Sequence, residues 1–220
     1  MGTLPGSDPS PTLATQEWGT EARATAPTTD PIEGLPSGVR LLASPPGRAR
    51  QMNYGAQRAN GDILLFLHAD TQLPAGYDEY VHTALQRPAT VAGAFSLRID
   101  AQGAILRVIE RTVAFRSRVC GFPYGDQALF LHKRIFDEIG GFPMLPIMED
   151  VELVRKLRRR GRVHTVPARV LTSARRWKRL GAIRTTLLNQ AFIAAYLSGV
   201  SPDWIARRYD RRHSSLATED

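Results

Sequence analysis

The sequence predicts an α/β layered fold, on three observations. Two short, continuous apolar runs, Ile63–Leu67 and the QALFLH stretch Gln127–His132, have the length and character of strands buried on both faces. Amphipathic stretches of helical period stand between such runs. The clearest is Glu149–Arg160, with Val151, Leu153, Val154 and Leu157 as its apolar set. Strands that alternate with helices describe a sheet with helices packed on it.

The elements follow in order. Residues 1–37 hold six prolines and few large apolar side chains. Such a stretch buries too little surface to offset its ordering entropy, so a disordered tail is expected there. Gly38–Ser44 reads as a short strand and Pro45-Pro46-Gly47 as a turn. Arg48–Asn60 reads as a helix with Ala49, Met52 and Ala56 on one side, closed by Gly61-Asp62. The strand Ile63–Leu67 leads into His68-Ala69-Asp70-Thr71, and Pro74–Leu85 is a second helix. Val91–Ile99 alternates as a strand, Ala104–Cys120 is helical, and Gly121–Gly125 is a loop before the QALFLH strand. Lys133–Ile139 is a short helix closed by Gly140-Gly141. Val163–Val166 and Arg169–Thr172 read as two short strands. Leu187–Val200, broken by Asn189, Gln190 and Ser198, reads as a core or interfacial helix. The folded domain is expected over 38–211, with a second disordered tail over 212–220.

Composition narrows the function. The chain has 220 residues and 43% hydrophobic side chains, enough for one real core. Its single cysteine, Cys120, excludes an internal disulfide and a Cys-rich zinc site. No signal peptide and no stretch of ~18 apolar residues is present, so a cytoplasmic protein is expected, at most peripheral at the inner face of a membrane. The net charge is +8. Twelve Lys or Arg and no Asp or Glu lie between Arg155 and Arg184. Anionic partners suit that balance. Nucleic acid is not expected among them, because no helix-turn-helix, RNA-binding sheet or zinc-finger signature accompanies the charge.

Four clusters can carry chemistry. In LLFLHADT, Asp70 follows a buried strand, where open α/β sheets bind ligands. His68 and Asp70, two apart in an extended segment, can face one ligand, and a carboxylate there suits Mg²⁺ or Mn²⁺ on a diphosphate. A strand-end Asp that caps a turn is the plain alternative. In PIMEDVEL, Glu149 and Asp150 can present a general base to an incoming hydroxyl, or can simply complement the start of a helix. In SARRW, Arg176 beside Trp177 can clamp a phosphate and stack on a sugar, or can form an ordinary basic surface. Gly125-Asp126-Gln127 can bind sugar hydroxyls or form a turn.

The order of these blocks resembles the family 2 glycosyltransferases of GT-A fold. The stretches GRARQMNYGAQRANGDILLFLHADTQLP, YGDQALFLHK, GGFPMLPIMEDVELVRKLRRRG and TSARRWKRLG resemble the transferase 2 subgroup associated with radical-SAM and selenodomain proteins, also linked to arsenosugar biosynthesis. The resemblance runs from about Val39 to Tyr209. It implies a mostly parallel GT-A sheet and inverting transfer from a nucleotide-diphospho-sugar to a small-molecule or lipid hydroxyl acceptor. Asp70 falls on the second Asp of the family's D-x-D motif, the implied Mg²⁺ or Mn²⁺ ligand, and His68 replaces the first. Arg48, with Asn53 five residues on, implies a nucleotide or diphosphate contact, as do His68 and Arg176. Glu149-Asp150 matches the E-D motif, with Asp150 the implied base. Gly125, Asp126, Gln127 and Trp177 fall on the acceptor side. Ser173 stands where Q-x-x-R-W has Gln.

The family's first two nucleotide-binding strands find no match in 1–37. An N-terminally truncated domain is therefore expected. Its sheet edge would lie near Ile63–Leu67, and homo-oligomerisation through that edge is expected. The alternative is a non-catalytic remnant that binds a protein partner or an anionic surface through the basic C-terminal half.

Overall fold

The computed structural model describes residues 12–16, 38–175, 177 and 181–214, with backbone alone for 12–16 and 210–214. One six-stranded sheet organises them. Its strands are β1 (Thr12–Gln16), β2 (Ile63–His68), β3 (Thr71–Gln72), β4 (Thr90–Asp100), β5 (Leu129–His132) and β6 (Arg162–Ser173). The order across the sheet is β1-β2-β5-β4-β6-β3. The helices are α1 (Arg48–Arg58), α2 (Tyr77–Leu85), α3 (Ala104–Val119), α4 (Lys133–Glu138), α5 (Glu149–Arg158), α6 (Ala182–Leu197) and α7 (Pro202–Ser214).

The α/β class stands, but the sheet is mixed rather than mostly parallel. β1 runs parallel to β2 and β4 to β6, while β5 runs antiparallel to both its neighbours and β3 antiparallel to β6. An apolar run buried on both faces suits either direction, so LFLH did not disclose its own orientation. Gly38–Ser44 is not a strand. Thr12–Gln16 pairs with β2 from Thr12 opposite Leu64 to Gln16 opposite His68. Ile63–Leu67 is thus an inner strand, and its expected exposure at an edge is corrected. The rest of 1–37 lies outside the described residues, as do 215–220, and α7 carries the backbone to Ser214.

Alternate residues of β2 and β5 enter two cores, as the twofold period of a strand requires. Leu64, Phe66, Leu129 and Leu131 pack under α1, α4 and α5 with Met52, Phe136 and Leu153. Leu65, Leu67 and Phe130 pack under α2 and α3 with Phe95, Val81 and Ile109. The two short strands expected at 163–172 are one strand with an irregularity. The partners of Ala94 and Ser96 are Thr165 and Arg169, so β6 bulges at Val166-Pro167-Ala168. Pro167 has no N–H to give to a ladder, which is why it is found at the bulge. A third, smaller cluster of Met148, Val151 and Ile205 docks α6 and α7 beside the start of α5. Among the described residues no helix is long and apolar enough to cross a membrane.

Candidate active site

β3 and the end of β6 bring two sequence motifs together. Thr71 pairs with Thr172 and Gln72 with Leu171. The Thr71 hydroxyl donates to Thr172 Oγ1 at 3.1 Å, and the Ser173 N–H donates to the Asp70 carbonyl at 3.0 Å. His68-Ala69-Asp70 therefore lies against the first residues of SARRW, a hundred positions away in sequence. Trp177 lies half-buried in the same region, packed against the α2–α3 core. Arg176 lies outside the described residues.

Arg48 joins three of the predicted groups. It is the first residue of α1, where the positive end of the helix disfavours a cation. Its place is explained by its partners. Nε lies 3.0 Å from Glu149 Oε1, and Nη2 lies 4.0 Å from Asp150 Oδ2 and 2.5 Å from His68 Nε2. A guanidinium only donates, so in this contact the His68 nitrogen that faces it is the acceptor. Burial of Arg48 opposes its charge. The carboxylates of Asp150, Glu149 and Asp126 outweigh that penalty and hold its pKa above the ordinary value.

Glu149 and Asp150 are neighbours in sequence with different roles. Met148, which precedes them, holds a left-handed φ of 68° although it is not glycine. Such a conformation costs about 1–3 kcal/mol and clusters at functional sites. It turns the chain so that Glu149 is 1% exposed beneath Arg48 while Asp150 is half-buried at the cavity wall. Burial pushes the Glu149 pKa up to about 7; Arg48 pulls it back and the Asp150 carboxylate adds to the rise. Asp150 Oδ1 accepts the Val151 N–H at 2.8 Å, and Oδ2 accepts the Gly125 N–H at 2.8 Å. The second bond leaves the helix entirely, so Asp150 is more than a helix-start carboxylate. It ties α5 to the GDQ turn. Gly125 permits that approach, because a Cβ there would meet Arg48 Nη2 at 2.6 Å and Asp150 Oδ2 at 2.9 Å.

Two candidates stand away from the cavity. Asn53 holds the GGFP loop: its Nδ2 donates to the Phe142 carbonyl at 2.8 Å and its Oδ1 accepts the Phe142 N–H at 2.9 Å. Gln127 is fully buried. Its Nε2 donates to the Phe95 carbonyl at 2.9 Å, and its Oε1 accepts from the Ser117 hydroxyl at 2.9 Å, from Arg116 Nη2 at 3.2 Å and from the Tyr124 N–H at 3.2 Å. Both amides brace the loops that carry the site. A polar residue beside a functional turn reads the same in sequence whether it braces the turn or faces the ligand.

The remaining candidates surround one cavity of about 270 Å³: Arg48, His68, Asp70, Asp126, Asp150 and Trp177, with Glu149 beneath. Sequence reading missed its other half. Tyr124, Ile147 and Met148 enter from loops, and Asn189, Phe192, Ile193, Ala206 and Tyr209 enter from α6 and α7. The break at Asn189 in an otherwise apolar helix was the available signal.

The described lining sets one arginine against the carboxylates of Asp70, Asp126 and Asp150, before Glu149 is added. Among the described residues, a diphosphate there meets more negative than positive charge. A divalent cation reverses that balance. No three His, Cys, Asp or Glu among the described residues converge to cage an ion. The donor set fits the other mode, in which Mg²⁺ or Mn²⁺ takes one or two carboxylates and completes its shell with phosphate oxygens and water. Asp70, Asp126 and Asp150 are the lining carboxylates that could supply those one or two ligands.

The sequence pattern described as glycosyl transferase family 2 matches residues 23–146. The chain belongs to glycosyltransferase family 2. The match begins within the stretch expected to lie outside the family pattern and ends before Glu149, so the roles of Glu149, Asp150 and Trp177 in this family 2 chain rest on geometry. No curated protein matches the chain. Among solved structures, it is similar to a mannosyltransferase, PcManGT from Pyrobaculum calidifontis in complex with GDP-Man and Mn²⁺. Identity is 17% and the TM-score 0.48, over 79% of this chain and 55% of that one. It is similar to GalNAc-T7 with UDP, GalNAc and Mn²⁺, at 15% identity and a TM-score of 0.44, over 58% and 30%. It is also similar to TarS of S. aureus, at 12% identity and a TM-score of 0.43, over 58% and 24%. The family 2 chain thus spans about half or less of the solved chains it matches.

Proposed function

We propose that this chain transfers a sugar from a nucleotide-diphospho-sugar to a hydroxyl acceptor, with inversion at the anomeric carbon. The observation that carries the reading is the convergence of Arg48, Asp70, Asp126 and Asp150 on one cavity in a family 2 domain. The acceptor oxygen attacks the anomeric carbon and forms the new C–O bond. The bond from that carbon to the diphosphate oxygen breaks, and its electron pair leaves with the diphosphate. The acceptor proton passes to the Asp150 carboxylate. Gly125 N–H and Arg48 fix the Asp150 carboxylate in place. Arg48 also presents positive charge to the diphosphate side. Asp70 would hold a divalent cation, which would supply charge neutralisation for the diphosphate leaving group. The subgroup resemblance in YGDQALFLHK and TSARRWKRLG supports a small-molecule or lipid acceptor.

The test is calorimetric titration with GDP and UDP, with and without Mn²⁺, on the parent and on Asp70→Asn. Binding that needs Mn²⁺ and is lost in the variant is expected. Equal binding by both proteins, or binding indifferent to Mn²⁺, removes Asp70 from this role.

A further inference from the structure

The cavity has two unlike walls. One is charged, from Arg48, Asp70, Asp126 and Asp150. The other is built by the loop before α5 and by α6 and α7, and it is apolar: Ile147, Met148, Phe192, Ile193 and Ala206. Its polar atoms come from Asn189 and the Tyr209 phenol. The walls meet at the start of α5, where Met148, Asp150 and Val151 all face the cavity. A molecule whose hydroxyl lies at Asp150 therefore rests its remainder on aliphatic and aromatic side chains.

A sugar acceptor places hydroxyls on every side, and each one buried against Ile147, Phe192 or Ile193 would give up its hydrogen bond to water without replacement. An alkyl body loses nothing there and gains burial. Beyond the cavity α6 exposes Ile183, Leu187 and Leu197, whereas α7 exposes Trp204 among the charged Asp203, Arg207 and Arg208. Resting on the transferase reading above, we propose that the acceptor is an amphiphile, an alcohol whose hydroxyl is carried on an alkyl body seated against α6 and α7.

Trp177 lines the cavity and supplies a fluorescence signal. The probes are glucose and butyl, hexyl and octyl β-glucosides, each below its micelle concentration, titrated into the full chain. Affinity should rise about fourfold per methylene, the factor that about 0.8 kcal/mol corresponds to, until the cavity is filled. Phe192→Asp should flatten the series. Ala206→Phe, which fills the wall without adding charge, should end the rise at a shorter chain and serves if Phe192→Asp fails to fold. A flat series in the parent overturns the inference. So does a rise that both variants retain, because the alkyl chains would then bind elsewhere. GDP and UDP with Mn²⁺ form a separate arm: absent binding there overturns the transferase reading, whereas the alkyl series reports on the wall alone.

Discussion

Replacing Glu149 by Gln should stabilise the protein at neutral pH, against the intuition that it breaks an ion pair. Glu149 is 1% exposed, and its pKa rises from 4.5 to about 7 because burial outweighs the pull of Arg48 at 3.0 Å. Below 4.5 the side chain is protonated in both folded and unfolded chains and makes no difference to stability. Between 4.5 and about 7 the unfolded chain releases its proton while the folded one keeps it, so stability falls as pH rises. Above about 7 both are ionised and the loss is complete. Each pKa unit corresponds to about 1.4 kcal/mol, so the full loss is about 3 kcal/mol. Glutamine has the shape of the protonated acid and does not titrate. The expected outcome is a small difference between Glu149→Gln and its parent near about pH 4, growing in the variant's favour to about 3 kcal/mol by about pH 8. Urea unfolding at constant ionic strength across that range measures it. A variant less stable than the parent at about pH 8 would refute the reasoning, because the Arg48–Glu149 attraction would then exceed the cost of burying the carboxylate.

Three further outcomes are expected. Asp150→Asn should lower transfer by ~10²- to 10⁴-fold while donor binding persists, and steady-state rates with a loss under about threefold would leave Asp150 a purely structural tie. Gly125→Ala puts a Cβ 2.6 Å from Arg48 Nη2 and 2.9 Å from Asp150 Oδ2, so it should displace both. A rate loss of roughly 10²-fold with little change in melting temperature is expected, and kinetics beside a thermal melt separates this from misfolding. Gly93→Ala drives a Cβ to within 2.3 Å of the Phe130 ring, which is fully buried. It should cost about 3 kcal/mol, lowering the melting midpoint by roughly 6–12 °C, and Phe130→Leu in the same chain should recover part of that loss.

The parts of the fold that showed in the sequence are those set by local pattern. Leu64–Leu67 is buried because its side chains alternate between two cores, and a continuous apolar run is what that demands. Glu149–Arg158 declares itself by the spacing of Val151, Leu153, Val154 and Leu157. The direction of β5 was hidden because direction follows from connection and pairing, not from the residues of one strand. The bulge at Pro167 looked like two strands because a proline without an N–H interrupts the ladder but not the path of the chain. In the site, Arg48, His68, Asp70 and Asp150 were legible because short motifs held them. Tyr124, Phe192 and Tyr209 were not, since aromatic and apolar side chains there look like ordinary core until α6 and α7 fold over the cavity.

Arg48 explains why two adjacent acids can do different work. A single buried guanidinium meets Glu149 through Nε at 3.0 Å and reaches toward Asp150 through Nη2 at 4.0 Å. The closer contact goes to the acid with almost no exposure, and the looser one to the acid that faces the cavity. Asp150 nevertheless does more than Glu149 to hold the arginine's charge, although the Glu149 contact is the shorter one. Asp150 lines the cavity wall, its Oδ2 oriented by the Gly125 N–H at 2.8 Å and facing Arg48 Nη2 at 4.0 Å. On the transferase reading proposed above, a base must be held in position, which the Gly125 N–H does for Asp150. The two acids are successive residues of α5, which begins after the left-handed Met148, so their side chains leave the helix in different directions. The strain at Met148 and the burial of Glu149 both oppose folding, and both sit directly beside the Asp150 carboxylate that lines the cavity.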